Sequence, residues 1–356
     1  MNKQIISQIC SELKNFPLKK EIKIMEVCGT HTTEFFKSGV KDFFPKKLNL
    51  IDGPGCPVCV TPNEYLDQAI EIGKNKNVIL ATYGDLIKIP SSYSSLKEEK
   101  AQGLDVRVIY SSLEALQIAK DNPKKEIIFL SVGFETTTPT IAVTLQLALK
   151  EKIKNFTILV GNKLTPPAVQ TILNSKKIKI DGFILPGHVS AIIGKESWNF
   201  IPNDFNKPAV ISGFESGDLL AGTLTLINLI KQQNPIIKNL YQRIVKNGGN
   251  STALEIMNET FEVIESHWRG IGVISKSGLK LKKRYTIFDA EKKFNIKKYP
   301  PKINKKCRCG DLLQGLIKPP KCPLFKKECS PETPIGPCMV STEGPCAAYF
   351  KYWRNK

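Results

Sequence analysis

The sequence has no apolar run as long as the roughly 18 residues that a membrane-spanning helix needs. Its first residues form an amphipathic pattern from Met1 to Leu13, and no signal-peptide cleavage pattern is found there. Hydrophobic residues make up 41% and charged residues 24% of the 356 positions, which is ordinary for a globular protein. We therefore expect a cytoplasmic protein without membrane association, long enough for two or three domains.

Acidic residues are few compared with basic ones. The chain has 52 Lys and Arg against 33 Asp and Glu, which gives a formal net charge of +19 at pH 7. Such a charge is typical of nucleic-acid-binding proteins. However, the chain has no helix-turn-helix, zinc-finger or RNP-like pattern, and few aromatic residues lie among its scattered lysines. The sequence favours a solvated lysine-rich surface and predicts no specific nucleic-acid partner, while an acidic protein partner is compatible with the charge.

Compact C-x-x-C pairs are absent from the end of the chain, although most of the cysteines lie there. In a cytosolic protein, such clustering favours metal or cluster ligation over disulfides. Zinc would favour two C-x-x-C knuckles, whereas irregularly spaced cysteines among prolines and glycines suit an iron–sulfur cluster. Zinc and disulfides are the alternatives. The residues concerned are Cys307, Cys309, Cys322, Cys329, Cys338 and Cys346.

Short apolar runs alternate with helical patterns along most of the chain, which predicts right-handed βαβ units and a mostly parallel sheet. Strands are predicted at residues 21–27, 48–52, 77–82, 105–110, 126–131, 156–161, 180–185 and 209–212. Helices are predicted at 62–74, 112–120, 218–229 and 254–264, and a basic, proline-bounded linker at 276–301. The sequence therefore indicates an α/β fold followed by a cysteine-rich domain.

A C-x-x-C pair, Cys56 and Cys59, lies in the loop that follows the predicted strand 48–52. Open α/β sheets usually carry their chemistry at this end of a strand. The surrounding glycines permit close backbone approach, and the prolines stiffen the turn. The loop is therefore a candidate redox dithiol or half of a metal site, and the alternative is a tight turn with two small buried residues.

Cys28 and His31 lie at a predicted strand-to-helix turn, where the partial positive charge of a helix N-terminus favours a thiolate. Glu135 and His188 also follow predicted strands, and polar loops at strand ends gather around shared clefts. All four are candidate site residues, although each could instead be a buried or satisfied structural group. We interpret His267, in a predicted turn, as structural.

Together these motifs resemble the HypD family, whose members are maturation factors for the iron site of NiFe hydrogenases. The resemblance extends from Cys28 to Tyr352 and keeps the family's order of motifs. It implies two similar α/β domains with mostly parallel sheets and a small C-terminal iron–sulfur domain. We place these domains at residues 1–130, 131–275 and 276–356. The segments that carry the resemblance are 28–32, 53–59, 133–137, 186–190 and the cysteine-rich tail.

The resemblance also implies a function. Together with the small partner HypC, a protein of this family is a scaffold on which an iron atom acquires two cyanides and one carbon monoxide. Cyanide is accepted from a third factor, HypE, and the assembled iron passes to the hydrogenase large subunit through HypC. Soft thiolate donors and shielding from water suit an iron atom with such ligands.

The resemblance assigns residues to both metal centres. It implies that Cys28, Cys56 and Cys59 hold the scaffold iron, and that His31, Glu135 and His188 line the surrounding cleft. It also implies that four thiols hold a 4Fe-4S cluster, with Cys338 as the substitute ligand and Cys307 as a non-ligand. The implied cluster ligands are Cys309, Cys322, Cys329 and Cys346.

Cys56 and Cys59 could alternate between a disulfide and a dithiolate, and the cluster is then a plausible electron source for the reduction. This hypothesis leaves one alternative function open. An independent thiol–disulfide oxidoreductase would use the same two cysteines and the same cluster, but it would need neither Cys28 nor HypC.

Overall fold

The computed structural model describes residues 2–175, 177–296, 300–302 and 304–353. Its strands form three sheets, and their order in the chain already shows that the sheets are not built from consecutive segments. The strands are β1 (Ile22–Glu26), β2 (Leu48–Asp52), β3 (Val78–Tyr83), β4 (Val106–Ile109), β5 (Glu126–Ser131), β6 (Phe156–Val160), β7 (Gly182–Pro186), β8 (Ala209–Ser212), β9 (Ile237–Asn239), β10 (Phe261–Trp268) and β11 (Gly272–Leu281).

Helices connect most of these strands and cover the sheets. None in the described ranges is long and apolar enough to span a membrane. The helices are α1 (Lys3–Lys14), α2 (Gly29–Lys37), α3 (Pro57–Val60), α4 (Asn63–Gly73), α5 (Leu96–Ala101), α6 (Ser112–Asp121), α7 (Thr138–Lys150), α8 (Thr165–Asn174), α9 (Gly187–Ile193), α10 (Phe200–Phe205), α11 (Ser216–Lys231), α12 (Ser251–Thr260), α13 (Ala290–Phe294), α14 (Cys309–Leu313) and α15 (Pro345–Tyr352).

Two parallel sheets form the body of the molecule, which confirms the predicted α/β fold. The first sheet has the order β2-β1-β7-β8-β9, and the second has the order β4-β3-β5-β6. The chain thus leaves the first sheet after β2, builds the whole second sheet, and returns at β7. The predicted boundary between residues 130 and 131 falls inside β5, and the one between 275 and 276 falls inside β11. The predicted linear division therefore does not follow the sheets.

The antiparallel hairpin β10–β11 corrects two predictions. The helix predicted at 254–264 ends at Thr260, and the next residues form β10, which contains His267 in a strand and not in a turn. The β-branched Val263 and Ile264 suit a strand, and pairing with β11 satisfies their backbone groups.

The linker predicted at 276–301 is largely ordered secondary structure. Its first part belongs to β11, and a 3-10 helix over Lys283–Phe288 and α13 follow. Leu281, Tyr285 and Phe288 are buried against the second sheet, where the ring of Phe288 lies 6.3 Å from that of Phe156. The segment looked like a linker because it is rich in lysine, but the lysines between these buried apolar residues are exposed to solvent. Residues 297–299 of the predicted linker lie outside the described residues.

The cysteine-rich tail does not form a core of its own. Its buried cysteines belong to the same hydrophobic cluster as Val58 and Val60 of α3 and Trp268 of β10. Helix α15 packs on α2, where the rings of Tyr349 and Phe36 lie 4.3 Å apart. The tail is therefore held against the loops at the carboxyl ends of β1 and β2.

Candidate metal and thiol site

Cys28 is the residue before α2, two positions after the end of β1, an interior strand of the first sheet. Its backbone is extended, and its carbonyl accepts the N–H of Thr32 at 3.0 Å. Its own N–H donates to a carboxylate oxygen of Glu26 at 2.9 Å. These bonds fix the strand-to-helix turn that the sequence predicts, with the thiol at the start of the helix.

The Cys28 turn packs backbone to backbone on the C-x-x-C loop. The N–H of Gly29 donates to the carbonyl of Gly55 at 3.1 Å. A Cβ atom at Gly55 would lie 2.4 Å from the nitrogen and 2.5 Å from the Cα of Cys28, so only glycine fits there. The two cysteine motifs, far apart in the chain, therefore meet at one end of the first sheet.

Burial controls the protonation of Cys28. It raises the pKa of this thiol to about 12, and the nearby carboxyl groups of Glu26 and Glu343 act in the same direction. The backbone N–H groups of His31 and Thr30 favour the thiolate, as expected at a helix N-terminus, but their effect is smaller. The isolated protein therefore keeps Cys28 as a thiol, contrary to the expected thiolate.

Cys56 and Cys59 lie at the two ends of one helical turn. Cys56 precedes α3, and Pro57 occupies the first helical position, where the missing N–H costs nothing. The N–H of Cys59 donates to the sulfur of Cys56 at 3.2 Å. Both side chains are buried, so the loop holds two shielded sulfurs at one locus.

Cys338 connects this loop with the C-terminal cysteines. Its thiol makes hydrogen-bond contacts with both Cys59 and Cys309. The bond to Cys338 is the main reason that the pKa of Cys309 is raised, and burial is the main reason for Cys59 and Cys338. A continuous line of thiols therefore runs from the C-x-x-C loop into the tail.

All six C-terminal cysteines surround one small apolar cavity, and Leu312, Leu324 and Phe325 also line it. In the described part of the chain, no three His, Cys, Asp or Glu side chains are arranged to hold a single metal ion. The donor set nevertheless suits an iron–sulfur cluster, because its ligands are thiols from different loops in an apolar surrounding. The tail thus gathers the residues that the sequence predicts for a cluster, together with Cys307.

His31 and His188 meet at Phe214. His31 is buried, its Nε2 donates to the carbonyl of Gly213 at 3.0 Å, and its ring lies 4.7 Å from that of Phe214. The ring of His188 stacks on the other side of Phe214 at 3.9 Å. Burial lowers the pKa of His31 to about 4, and that of His188 is also lowered by burial. Both rings are therefore neutral at pH 7. The Nδ1 atom of His31 is buried and finds no hydrogen-bond partner in the part of the chain that the structure describes.

Glu135 belongs to a different polar cluster at the end of the second sheet. One carboxylate oxygen accepts the backbone N–H of Thr165 at 2.7 Å, and the other accepts its hydroxyl at 2.6 Å. Burial raises the pKa of Glu135 to about 7. These hydrogen bonds fix the first turn of α8. His31 and His188 instead contact Phe214, so Glu135 does not share their partner. The structure thus brings the two histidines together and gives Glu135 a role in the fold.

Comparing the chain with models of known protein families identifies the family to which it belongs. The model described as the hydrogenase formation hypA family, HypD, matches residues 1–353.

The chain belongs to the HypD family.

Proteins named hydrogenase maturation factors resemble it over almost their whole length. HypD2 of Bradyrhizobium diazoefficiens is 43% identical over 344 residues, which cover 94% of this chain and 90% of the relative. HypD of Azotobacter vinelandii is 40% identical over 361 residues, covering 99% and 94%. HypD of Escherichia coli is 40% identical over 339 residues, covering 95% and 91%.

In this HypD family member, two buried carboxyl groups lie just before the cysteine motifs and were not predicted from the sequence. Glu26 and Asp52 are paired positions on β1 and β2. Burial raises the pKa of both, and Asp52 raises that of Glu26 further, while Lys41 lowers both. Their signal in the sequence is a single acidic residue at the end of each apolar strand.

Two contacts between the tail and the loops that carry the other cysteines were also not predicted from the sequence. The carboxylate of Glu343, between Cys338 and Cys346, accepts the hydroxyl of Thr30 at 2.7 Å beside Cys28. Arg269 lies between the C-x-x-C loop and the tail. Neither residue carries a local pattern that indicates such a contact, because both contacts join segments far apart in the sequence.

Proposed function

We propose that this HypD family member is the scaffold on which, together with HypC, an iron atom acquires two cyanides and one carbon monoxide. Cyanide comes from HypE, and the finished iron passes to the hydrogenase large subunit through HypC. The observation that carries the proposal is the packing of the Cys28 turn on the C-x-x-C loop, with the Gly29 N–H bonded to Gly55 at 3.1 Å. The loops that carry Cys28, Cys56 and Cys59 thereby meet at one end of the first sheet, which supports these thiols as ligands of the iron.

The surroundings of these thiols suit an iron atom with cyanide and carbon monoxide ligands. Cys56 and Cys59 are fully buried and Cys28 nearly so, which shields the thiols from water. Because metal ligands must be deprotonated and burial raises the pKa of Cys28 and Cys59, binding iron releases protons from this site. His31 and His188 supply neutral rings on the same side of the sheet, on either face of Phe214.

We further propose that the tail binds a 4Fe-4S cluster through four thiols, with Cys338 as the substitute ligand and Cys307 as a non-ligand, as the resemblance implies. The proposed ligands are Cys309, Cys322, Cys329 and Cys346. All four line the same apolar cavity, and Cys309 raises the pKa of Cys346 more than Cys307 does. When bound, the cluster supplies single electrons.

The line of thiols supports a redox role for the tail. Reducing a Cys56–Cys59 disulfide takes two electrons and two protons and yields two thiols. Cys338 contacts both Cys59 and Cys309, so it lies between the C-x-x-C pair and the proposed cluster, which would pass on the two electrons one at a time from an external one-electron donor. The same contact favours the second candidate function, a thiol–disulfide oxidoreductase that acts independently of HypC.

Infrared absorption of the protein, purified anaerobically with HypC, tests the scaffold. We expect bands in the cyanide and carbonyl stretching region, their loss in Cys28→Ala, and unchanged visible absorption of the cluster in that variant. Cys10→Ala, which changes a cysteine outside the site, is the matched control and keeps the bands. Bands that persist in Cys28→Ala contradict the proposed role of this thiol, and a silent wild-type spectrum with a redox-active disulfide favours the oxidoreductase.

Two single variants test the cluster ligands. We expect Cys309→Ala to lose most of the cluster's visible absorption after anaerobic reconstitution, because a thiolate ligand is removed. Cys307→Ala removes a thiol of the same cavity that is not a proposed ligand, and it should keep the absorption. The opposite result would make Cys307 the ligand in place of Cys309.

A further inference from the structure

Arg269 lies where the C-x-x-C loop meets the cysteine-rich tail, and its backbone is fixed from both sides. Its N–H donates to the carbonyl of Val60, the residue after Cys59, at 2.8 Å. The next residue, Gly270, packs on Gly310 so closely that a Cβ atom at Gly270 would lie 2.2 Å from the Gly310 Cα. Gln314 of the tail also donates to the Gly270 carbonyl at 2.9 Å.

The guanidinium of Arg269 is poorly satisfied by the protein itself. Its Nε atom is buried and has no hydrogen-bond partner among the described residues. Its Nη2 atom has only a long bond of 3.4 Å to the carbonyl of Pro90. Among the residues that the structure describes, no carboxylate forms an ion pair with Arg269. The side chains beside it are instead thiols: Arg269 lines one cleft together with Cys307 and Cys309. Cys338 and Cys59 also interact with its charge.

A buried donor without a partner destabilises the folded protein, and a buried charge without a counter-charge does so more strongly. Negative charge on the neighbouring sulfurs would offset both effects. Thiolates that hold an iron–sulfur cluster carry that charge permanently. Arg269 therefore lies beside thiols that become negatively charged when a cluster binds.

We propose that Arg269 is a positioning residue that raises the reduction potential of the cluster held by the tail, by directing its charge and its Nε–H at the ligand sulfurs. The inference rests on the proposed function, because it takes the cluster as bound. Reduction adds one electron to the cluster, with no bond broken and no proton moved. The reduced form is one unit more negative, so a fixed positive charge and hydrogen bonds to sulfur stabilise it more than the oxidised form.

Dithionite titration of the full-length protein after anaerobic reconstitution with iron and sulfide tests this role, with visible absorption as the readout. Arg269→Gln removes the charge. We expect its equilibrium constant for one-electron reduction to fall about tenfold, which corresponds to a midpoint potential about 59 mV lower. Arg269→Lys keeps the charge but lacks the Nε–H, and we expect a smaller decrease.

The matched control is Arg284→Gln, because Arg284 is exposed and paired with Glu259; its potential should equal that of the wild type. An unchanged potential in Arg269→Gln would overturn the proposal. If Arg269→Gln does not take up the cluster, Arg269→Lys decides: an unchanged potential there overturns the proposal, and a decrease supports it. If the wild-type protein itself takes up no cluster, the proposed cluster fails, and the role of Arg269 fails with it.

Discussion

At the scale of single residues, burial outweighs the helix N-terminus at the principal thiol. The N–H groups of Thr30 and His31 favour a Cys28 thiolate, yet removal from water raises its pKa to about 12. A free thiolate is therefore rare in the isolated protein, and a cation is needed to stabilise it. This arrangement protects the thiol from oxidants, because the thiolate is the reactive form.

His31 makes the stability of the protein dependent on pH. Its pKa is lowered to about 4 by burial, from an ordinary value near 6.5, so the folded state disfavours protonation. The stabilising contribution is complete above the unfolded-state pKa and is lost as the pH falls from about 6.5 to about 4. Between pH 7 and pH 5 we expect the free energy of unfolding to decrease by about 2 kcal/mol through this group.

Urea unfolding at the two pH values, for the wild type and His31→Gln, measures this contribution. The variant is less stable at pH 7 because the ring contact with Phe214 is lost, but its stability should depend less on pH by the same amount. Equal pH dependence in the two proteins would show that His31 is not buried as a neutral ring.

Residues whose role depends on the local chain could be predicted from the sequence, and residues whose role depends on distant contacts could not. The position of Cys28 and His31 at a helix start was predictable, because a strand pattern runs into a capping sequence. The contact of both histidines with Phe214 was not, because it joins α2, α9 and the loop after β8. The position of Arg269 between the C-x-x-C loop and the tail was not predictable either, because these two segments are far apart in the sequence.

At the scale of elements, the contact between the two cysteine motifs depends on a glycine. Gly55→Ala would place a methyl group 2.4 Å from the backbone nitrogen of Cys28. Because backbone has to move, we expect the free energy of unfolding to decrease by about 2 kcal/mol or more. Infrared bands of the bound iron should also weaken, since the two motifs would separate.

Gly84→Ala is the matched control for this prediction. Its added methyl group would meet the side chain of Val108 at 3.5 Å, an ordinary contact distance. Thermal and urea unfolding of both variants should therefore differ clearly. If Gly55→Ala were as stable as Gly84→Ala, the loop would be free to move and the two motifs would not depend on close packing.

Elements with one clear periodicity were predictable, and those with mixed signals were not. Helix 62–74 is found at Asn63–Gly73, because its apolar stripe is regular. The sequence runs from α12 into β10 without a proline or glycine, so nothing in residues 254–264 marks the change from helical to strand periodicity. Only pairing with β11 determines where the helix ends.

At the scale of the whole molecule, the interleaved sheets predict how fragments behave. A fragment of residues 1–130 contains β1 without its neighbour β7, and β5 without its neighbour β6. We expect it to lack a cooperative unfolding transition and to aggregate, because unpaired strand edges and apolar side chains are exposed. Co-expression with residues 131–356 should restore soluble protein, and circular dichroism during heating checks both expectations.

A cooperative transition for the isolated fragment would instead show that residues 1–130 form an independent unit.

The α/β class of the molecule was predictable from alternating patterns. The pairing of β1 with β7 was not, because nothing in the local sequence identifies a partner 158 residues away.

The return of the chain to its first sheet also affects how the protein is made. On the ribosome, β1 and β2 emerge well before β7, β8 and β9, and the second sheet is complete in between. At ordinary rates of synthesis the first two strands wait on the order of ten seconds for their partners. During that time the nascent chain exposes apolar residues such as Ile24 and Leu50, so a chaperone that shields early strands should increase the yield of native protein. The thiols of the tail emerge after the strands of both sheets, so all six become available only when both sheets can already form.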